Sequence, residues 1–243
     1  MEKILLVTGA SSEVGMQLIK KVYKDYELIY AQYFHMSDDL AALVDEVSAE
    51  TEILPLQADF SSPAGVEAMI EAIKANGKLP NNIVHLPAPK VYSKQFHKDA
   101  WENFESGWEV SVHSIVSILK AFIPGMSKQK YGRIVFMLTN NTLGMPAKYQ
   151  SAYTTVKYAL LGLMKSLSVE YMDKGITVNG VSPDMMETKY LSEIPELIVQ
   201  QNAANSPLGR NIKVEEVIPV MAHMLSDAGA SMTGQNIGIT GGL

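Results

Sequence analysis

Short runs of branched and apolar residues alternate along the chain with longer stretches whose apolar positions recur at helical spacing. Residues 4–7 predict a strand, closed by Thr8-Gly9-Ala10-Ser11-Ser12, and Val14, Leu18, Ile19 and Val22 then mark one face of a helix. Residues 28–33 and 53–56 read as the next two strands, separated by a helix carrying Leu40, Leu43, Val44 and Val47. Val66, Met69, Ile70 and Ile73 give a third helix, and residues 83–86, 134–138, 176–181 and 237–240 complete a set of about seven strands. Uncharged strands alternating with helices predict a parallel sheet covered on both faces. Right-handed crossovers then make it an α/β, doubly wound fold, spanning 1–243 as a single domain.

Two predicted helices are unusual. Residues 108–123 carry only Glu109 and Lys120 as charges, so almost no face is suited to water. Residues 154–171 place Val156, Leu160, Leu163 and Leu167 on one side and a small-residue strip, Ala159, Gly162 and Ser166, on another. A thick core is one explanation. A subunit interface, in a homodimer or homotetramer, is the expectation taken forward.

Composition narrows the class. The chain has 243 residues, 47% hydrophobic and 19% charged, with no cysteine and a net charge of −6. Such apolar content excludes disorder, and the missing thiols exclude a disulfide framework and thiolate zinc sites. The five histidines fall at no metal-ligand spacing, so no metal is expected. The acidic balance argues against nucleic acid and anionic membrane as partners. No apolar stretch approaches the roughly 18–20 residues of a membrane span, and the N-terminal apolar run is too short for a signal peptide. The expectation is a cytoplasmic protein.

Chemistry enters at two places. Residues 8–15 form a glycine-rich turn directly after the first strand and open the first helix. Gly9 and Gly15 permit a tight turn, and the helix start offers unpaired N–H groups and a positive dipole end to a pyrophosphate. Glu13 adds a carboxylate beside that position, expected to point to solvent. The end of the second strand, Ala31 to His35, has neither the acid that holds an NAD ribose nor an arginine for a 2′-phosphate. Ser11, Ser12 and His35 could meet such a phosphate, which favours NADP, with NAD possible. Asp59 fits either an adenine-edge contact or a cap for the helix beginning near Pro63.

Tyr153 and Lys157 stand four residues apart on one helical face. A nearby cation favours the phenolate, so the lysine is expected to draw the tyrosine pKa down from about 10. So tuned, the phenol gives its proton to a carbonyl oxygen while hydride reaches carbon.

Taken together and in order, these segments resemble the short-chain dehydrogenase/reductase family over nearly the whole chain. The matching segments are 8–15, Ala58-Asp59, residues 131–135, Tyr153 to Lys157, residues 175–183, Glu187-Thr188, and Thr233-Gly234-Gln235 leading to Gly241-Gly242. The nearest branch looks like the 3-oxoacyl-carrier-protein reductases. The resemblance implies a Rossmann-type fold and a nicotinamide cofactor acting on a small carbonyl or alcohol substrate. It implies Tyr153 as proton donor, Lys157 on the nicotinamide ribose, Thr188 at the nicotinamide end and Pro183 shaping that loop. It also implies that residues 184–206, rich in methionine and aliphatic groups, cover the substrate.

Four departures stand out. The family's carbonyl-binding serine, 13 positions before the tyrosine, is Asn140 here, flanked by Thr139 and Thr142. The relay asparagine is best matched by Ser111, and Asn-Asn-Ala-Gly by His85-Leu86-Pro87-Ala88. Asp184 stands where a glycine usually follows the proline. An active oxidoreductase is expected; the alternative is an impaired relative that binds nucleotide or serves a structural or regulatory role. Lys128, Lys130 and Arg133 form a basic cluster, expected to be a solvated loop, with contact to a carrier protein as the other reading.

Overall fold

The computed structural model describes residues 2–88, 90–189, 191 and 194–242. The chain runs β1 (Ile4–Thr8), α1 (Glu13–Val22), β2 (Leu28–Tyr33), α2 (Asp38–Val47), β3 (Glu52–Gln57), α3 (Pro63–Asn76) and β4 (Asn82–His85). It continues through α4 (Trp101–Gly107), α5 (Ser114–Gln129), β5 (Gly132–Met137), α6 (Ser151–Glu170) and β6 (Ile176–Pro183). It ends with α7 (Glu196–Asn205), α8 (Val214–Leu225) and β7 (Asn236–Ile239).

One seven-stranded sheet results, in the order β3-β2-β1-β4-β5-β6-β7, with every pairing parallel. This is the doubly wound, Rossmann-type α/β fold. Alternate residues of each strand feed opposite faces. Ile4 and Leu6 pack with α3, α5 and α6, whereas Leu5 and Val7 pack with α1, α2 and α8. The strand order reverses between β1 and β4, and a crevice opens there beyond the carboxyl ends of the strands. In the registered sheet Thr8 lies beside both Gln32 and His85.

The two apolar helices differ from their expected bounds. Residues 108–123 belong to one continuous helix, Trp101–Gln129, because a wide π-type turn at Trp108–His113 joins α4 to α5. At 29 residues it is long and apolar enough to cross a membrane by length and composition, which corrects the expectation that no stretch reaches that length. Half of its most apolar stretch is buried inside the protein, where Ile115, Ile118, Leu119, Phe122 and Met126 pack on the sheet. In α6 the buried row is Val156, Leu160 and Met164, at i, i+4 spacing. Leu163 and Leu167 are only half-buried, and Gly162 and Ser166 face outward.

The basic cluster is also corrected in part. Arg133 is buried, donating to the carbonyls of Gly132 and Gly175 and stacking 4.5 Å over the Tyr131 ring. It starts β5, at the sheet end opposite the crevice, so it does not line an approach to the site.

Candidate active site

The turn after β1 is built from its own short contacts. Gly9 adopts φ +73°, a left-handed conformation that suits glycine. Its N–H donates to Gln32 Oε1 at 2.8 Å, while Gln32 Nε2 donates to the Ala58 carbonyl at 2.8 Å, so one buried amide ties three strand ends together. Ser12 caps α1, accepting from Gly15 N–H and donating to the Gly9 carbonyl. At Gly15 a Cβ would fall 2.8 Å from Ala10 Cα and from the Gly9 and Ala10 carbonyl oxygens. Only glycine lets the helix start this close to the strand end.

A cavity of about 850 Å³ runs from this turn to α6. Gly9, Ser11 and Ser12 line one end, and Asn140, Tyr153, Lys157, Pro183 and Thr188 line the other. The fold therefore brings these predicted residues together. Gly15, His35, Asp59 and Ser111 do not line the cavity. Gly15 acts in packing, and His35 is exposed, its ring against Phe34. The Asp59 carboxylate accepts from Ser61 N–H and Oγ and so closes a turn before α3, whose N-cap position is Ser62.

Ser111 is fully buried under the site. Its hydroxyl donates to the Pro87 carbonyl, and its own carbonyl meets His85 Nε2 at 2.9 Å. His85 Nδ1 reaches Thr8 Oγ1, also at 2.9 Å. Burial pushes the His85 pKa down to about 3, which keeps the ring neutral as a fixed crossbrace between β1, β4 and the π-type turn.

Lys157 is 1% exposed, and its Nζ donates to the Met137 carbonyl at 2.8 Å. Burial among uncharged groups lowers its pKa to about 8. Its Nζ lies 5.8 Å from the centre of the Tyr153 ring. Burial raises the Tyr153 pKa, and a side-chain hydrogen bond with Thr139 acts the other way. The lowering expected from Lys157 is thus corrected. The ammonium is turned onto a backbone carbonyl, and the polar group that meets the phenol is Thr139.

Thr139 sits one residue before the position where the family's serine was expected. Its Oγ1 also donates to Asn140 Oδ1 at 3.1 Å, and Asn140 Nδ2 in turn donates to Asp184 Oδ1. Asn202, on α7, donates to Asp184 Oδ2 at 3.0 Å. Asn141 steadies the same loop, bonding Gln150, Thr154 and the Ala147 N–H. Asp184 and Asn202 were missed as site residues. The odd residue after Pro183 was a signal for the first, but nothing in the sequence signals the second.

Asp39 was missed as well. It lines the cavity near the end of β2 and pairs with Lys189 at 2.7 Å. The apolar wall comes from Met185, Met186, Leu191 and Ile194, within 184–206; residues 190, 192 and 193 of that segment lie outside the described residues.

A doubly wound sheet, a glycine turn at its switch point and a tyrosine–lysine pair across one cavity define a nicotinamide-dependent oxidoreductase class. A family model for enoyl-(acyl carrier protein) reductase matches residues 23–243, and the chain belongs to the short-chain dehydrogenase/reductase family. Oxidoreductase UcpA of Salmonella typhimurium is 30% identical over 254 residues, covering 99% of this chain and 94% of its own. The structure of a 3-oxoacyl-(acyl-carrier-protein) reductase from Agrobacterium tumefaciens, with NADP bound, superposes with a TM-score of 0.87 at 22% identity. It covers 99% of this chain and 94% of that one. A second such reductase, from Brucella melitensis with bound NAD, gives 0.84 at 22%, covering 100% and 91%.

Proposed function

We propose that this protein transfers hydride between a nicotinamide dinucleotide and a small carbonyl or alcohol substrate, with Tyr153 as the proton donor. The observation that carries this reading is the shared cavity, in which the Gly9–Ser12 turn and the Tyr153–Lys157 pair face one space. When bound, the cofactor supplies the hydride. The start of α1 and the hydroxyl of Ser11 fit its phosphates. Lys157 keeps donors beyond the one given to Met137 and fits the ribose hydroxyls. Pro183 and Thr188 fit the nicotinamide end.

NADP is the favoured form, with NAD as the other. The Asp39–Lys189 pair is neutral as a unit and the Glu13 carboxylate lines the same cavity, so Ser11 and Ser12 are the groups that fit a 2′-phosphate. In reduction, Tyr153 gives its proton to the substrate oxygen, and the Thr139 hydroxyl turns from Asn140 to donate to the phenolate that remains. Residues 184–206 cover the substrate. Assembly into a dimer or tetramer through 108–123 and 154–171 goes with this reading, as does a cytoplasmic setting with its pool of reduced dinucleotide. Oxidation of NADPH and NADH against a panel of ketones tests it. Turnover is expected in the wild type, falling at least about 10²-fold in Tyr153→Phe. An impaired relative would bind cofactor and turn over none of the panel.

A further inference from the structure

Asn140 and Asp184 meet each other in the fold, 44 residues apart in the chain. Asp184 is 6% exposed and lies in the wall of the cavity that holds Tyr153. A carboxylate drawn out of water is costly unless it is paired or well hydrogen-bonded. Its partners here are two amides, Asn140 from the loop after β5 and Asn202 from α7. Among the described residues no lysine or arginine forms an ion pair with it. Lys189 pairs with Asp39, Arg210 pairs with Glu216, and Lys157 is turned onto Met137.

An ionised carboxylate offers roughly four acceptor positions. The amides take two and bring no positive charge of their own. They also fix where the carboxyl oxygens sit. Tyr153, Thr139, Asn140 and Asp184 form one chain of contacts, and Asp184 lines the same cavity as Tyr153. Charge-assisted hydrogen bonds to such a group are short and strong, whereas a like charge placed there is repelled.

We propose that Asp184, held by Asn140 and Asn202, is a specificity-determining residue that selects a hydrogen-bond donor beside the reacting carbon. An ammonium is preferred, a hydroxyl is accepted, and a carboxylate is rejected. The proposal rests on the oxidoreductase reading above. The apolar wall of Met185, Met186, Leu191 and Ile194 takes the remainder of the substrate.

Three matched alcohols test it: 2-amino-1-phenylethanol, 1-phenyl-1,2-ethanediol and mandelate, which differ only in the group next to the carbinol. Their oxidation is measured with NADP⁺ and with NAD⁺, and their binding to the cofactor-loaded protein by calorimetry. The wild type is expected to favour the amino alcohol over mandelate by at least about tenfold in kcat/KM and in affinity, with the diol between. In Asp184→Asn the ratio should collapse to within about threefold, whatever the absolute rate. The wild-type ratio needs no variant to fold. Mandelate binding equally or better, binding of none of the three, or an unchanged ratio in Asp184→Asn overturns the proposal. A retained binding preference without turnover of any alcohol would sustain the role of Asp184 and refute the oxidoreductase reading instead.

Discussion

Lys157 is a cation buried without a carboxylate beside it, and that has a consequence for stability. Its folded pKa of about 8 lies below the ordinary 10.5, so from pH 8 to 10.5 the unfolded chain holds the proton that the folded chain has released. Stability of the wild type relative to Lys157→Met should therefore rise with pH across that window, by up to about 3 kcal/mol. Urea unfolding at both ends of the window checks this; a constant difference would contradict it. Thr139 carries a second prediction. If its hydroxyl supports the phenol, Thr139→Val should cost about 10²-fold in kcat, while cofactor binding is kept. Thr139→Ser should recover to within about tenfold of the wild type, because one hydroxyl still offers the same donor. Tyr153, Lys157 and the glycine turn were legible in the sequence because each is a local pattern on one element. Asn140 and Asp184 were each legible as an anomaly, but their contact was not. The contact with Asp184 exists only once β5 and β6 lie side by side, and Asn202 arrives from a helix with no buried residue.

At the scale of elements, the first strand–helix unit is the most tightly specified. The Cβ of an alanine at position 15 would meet backbone atoms of Gly9 and Ala10, which cannot swing aside as a flexible side chain does. Gly15→Ala should lower stability by about 1–3 kcal/mol and remove the thermal stabilisation given by NADPH. Scanning calorimetry with and without the dinucleotide reads both effects. Strand positions were legible to within a residue or two, since buried strands of a parallel sheet are nearly free of charge. The helix over Trp101–Gln129 was not. Its N-terminal part carries polar residues, and the wide turn at Trp108–His113 that continues it has no simple apolar period.

Across the whole molecule, each face of the sheet has one core, and the exposed apolar residues include several on or beside α4 and α6. Trp101 and Val169 are each 71% exposed, and Trp108 and Tyr158 are also exposed. Soluble chains rarely leave extended apolar patches open to water. Light scattering of the wild type should give a dimer or tetramer, and Tyr158→Glu with Val169→Glu should give a smaller species. An unchanged mass would remove α6 from the interface. The fold class was legible because the alternation of strands and helices repeats along the chain. Subunit number was not, because it depends on how two exposed faces match.

Hydride transfer is proposed to take place in the cavity shared by the glycine turn and Tyr153. Reduction of an aryl ketone with NADPH deuterated at the nicotinamide C4 tests it most directly. Deuterium is expected on the carbinol carbon of the product, on one face only, with at least about 10²-fold less labelled product from Tyr153→Phe in the same time. Bound cofactor with no label transferred by the wild type, or equal labelling by both proteins, would contradict it.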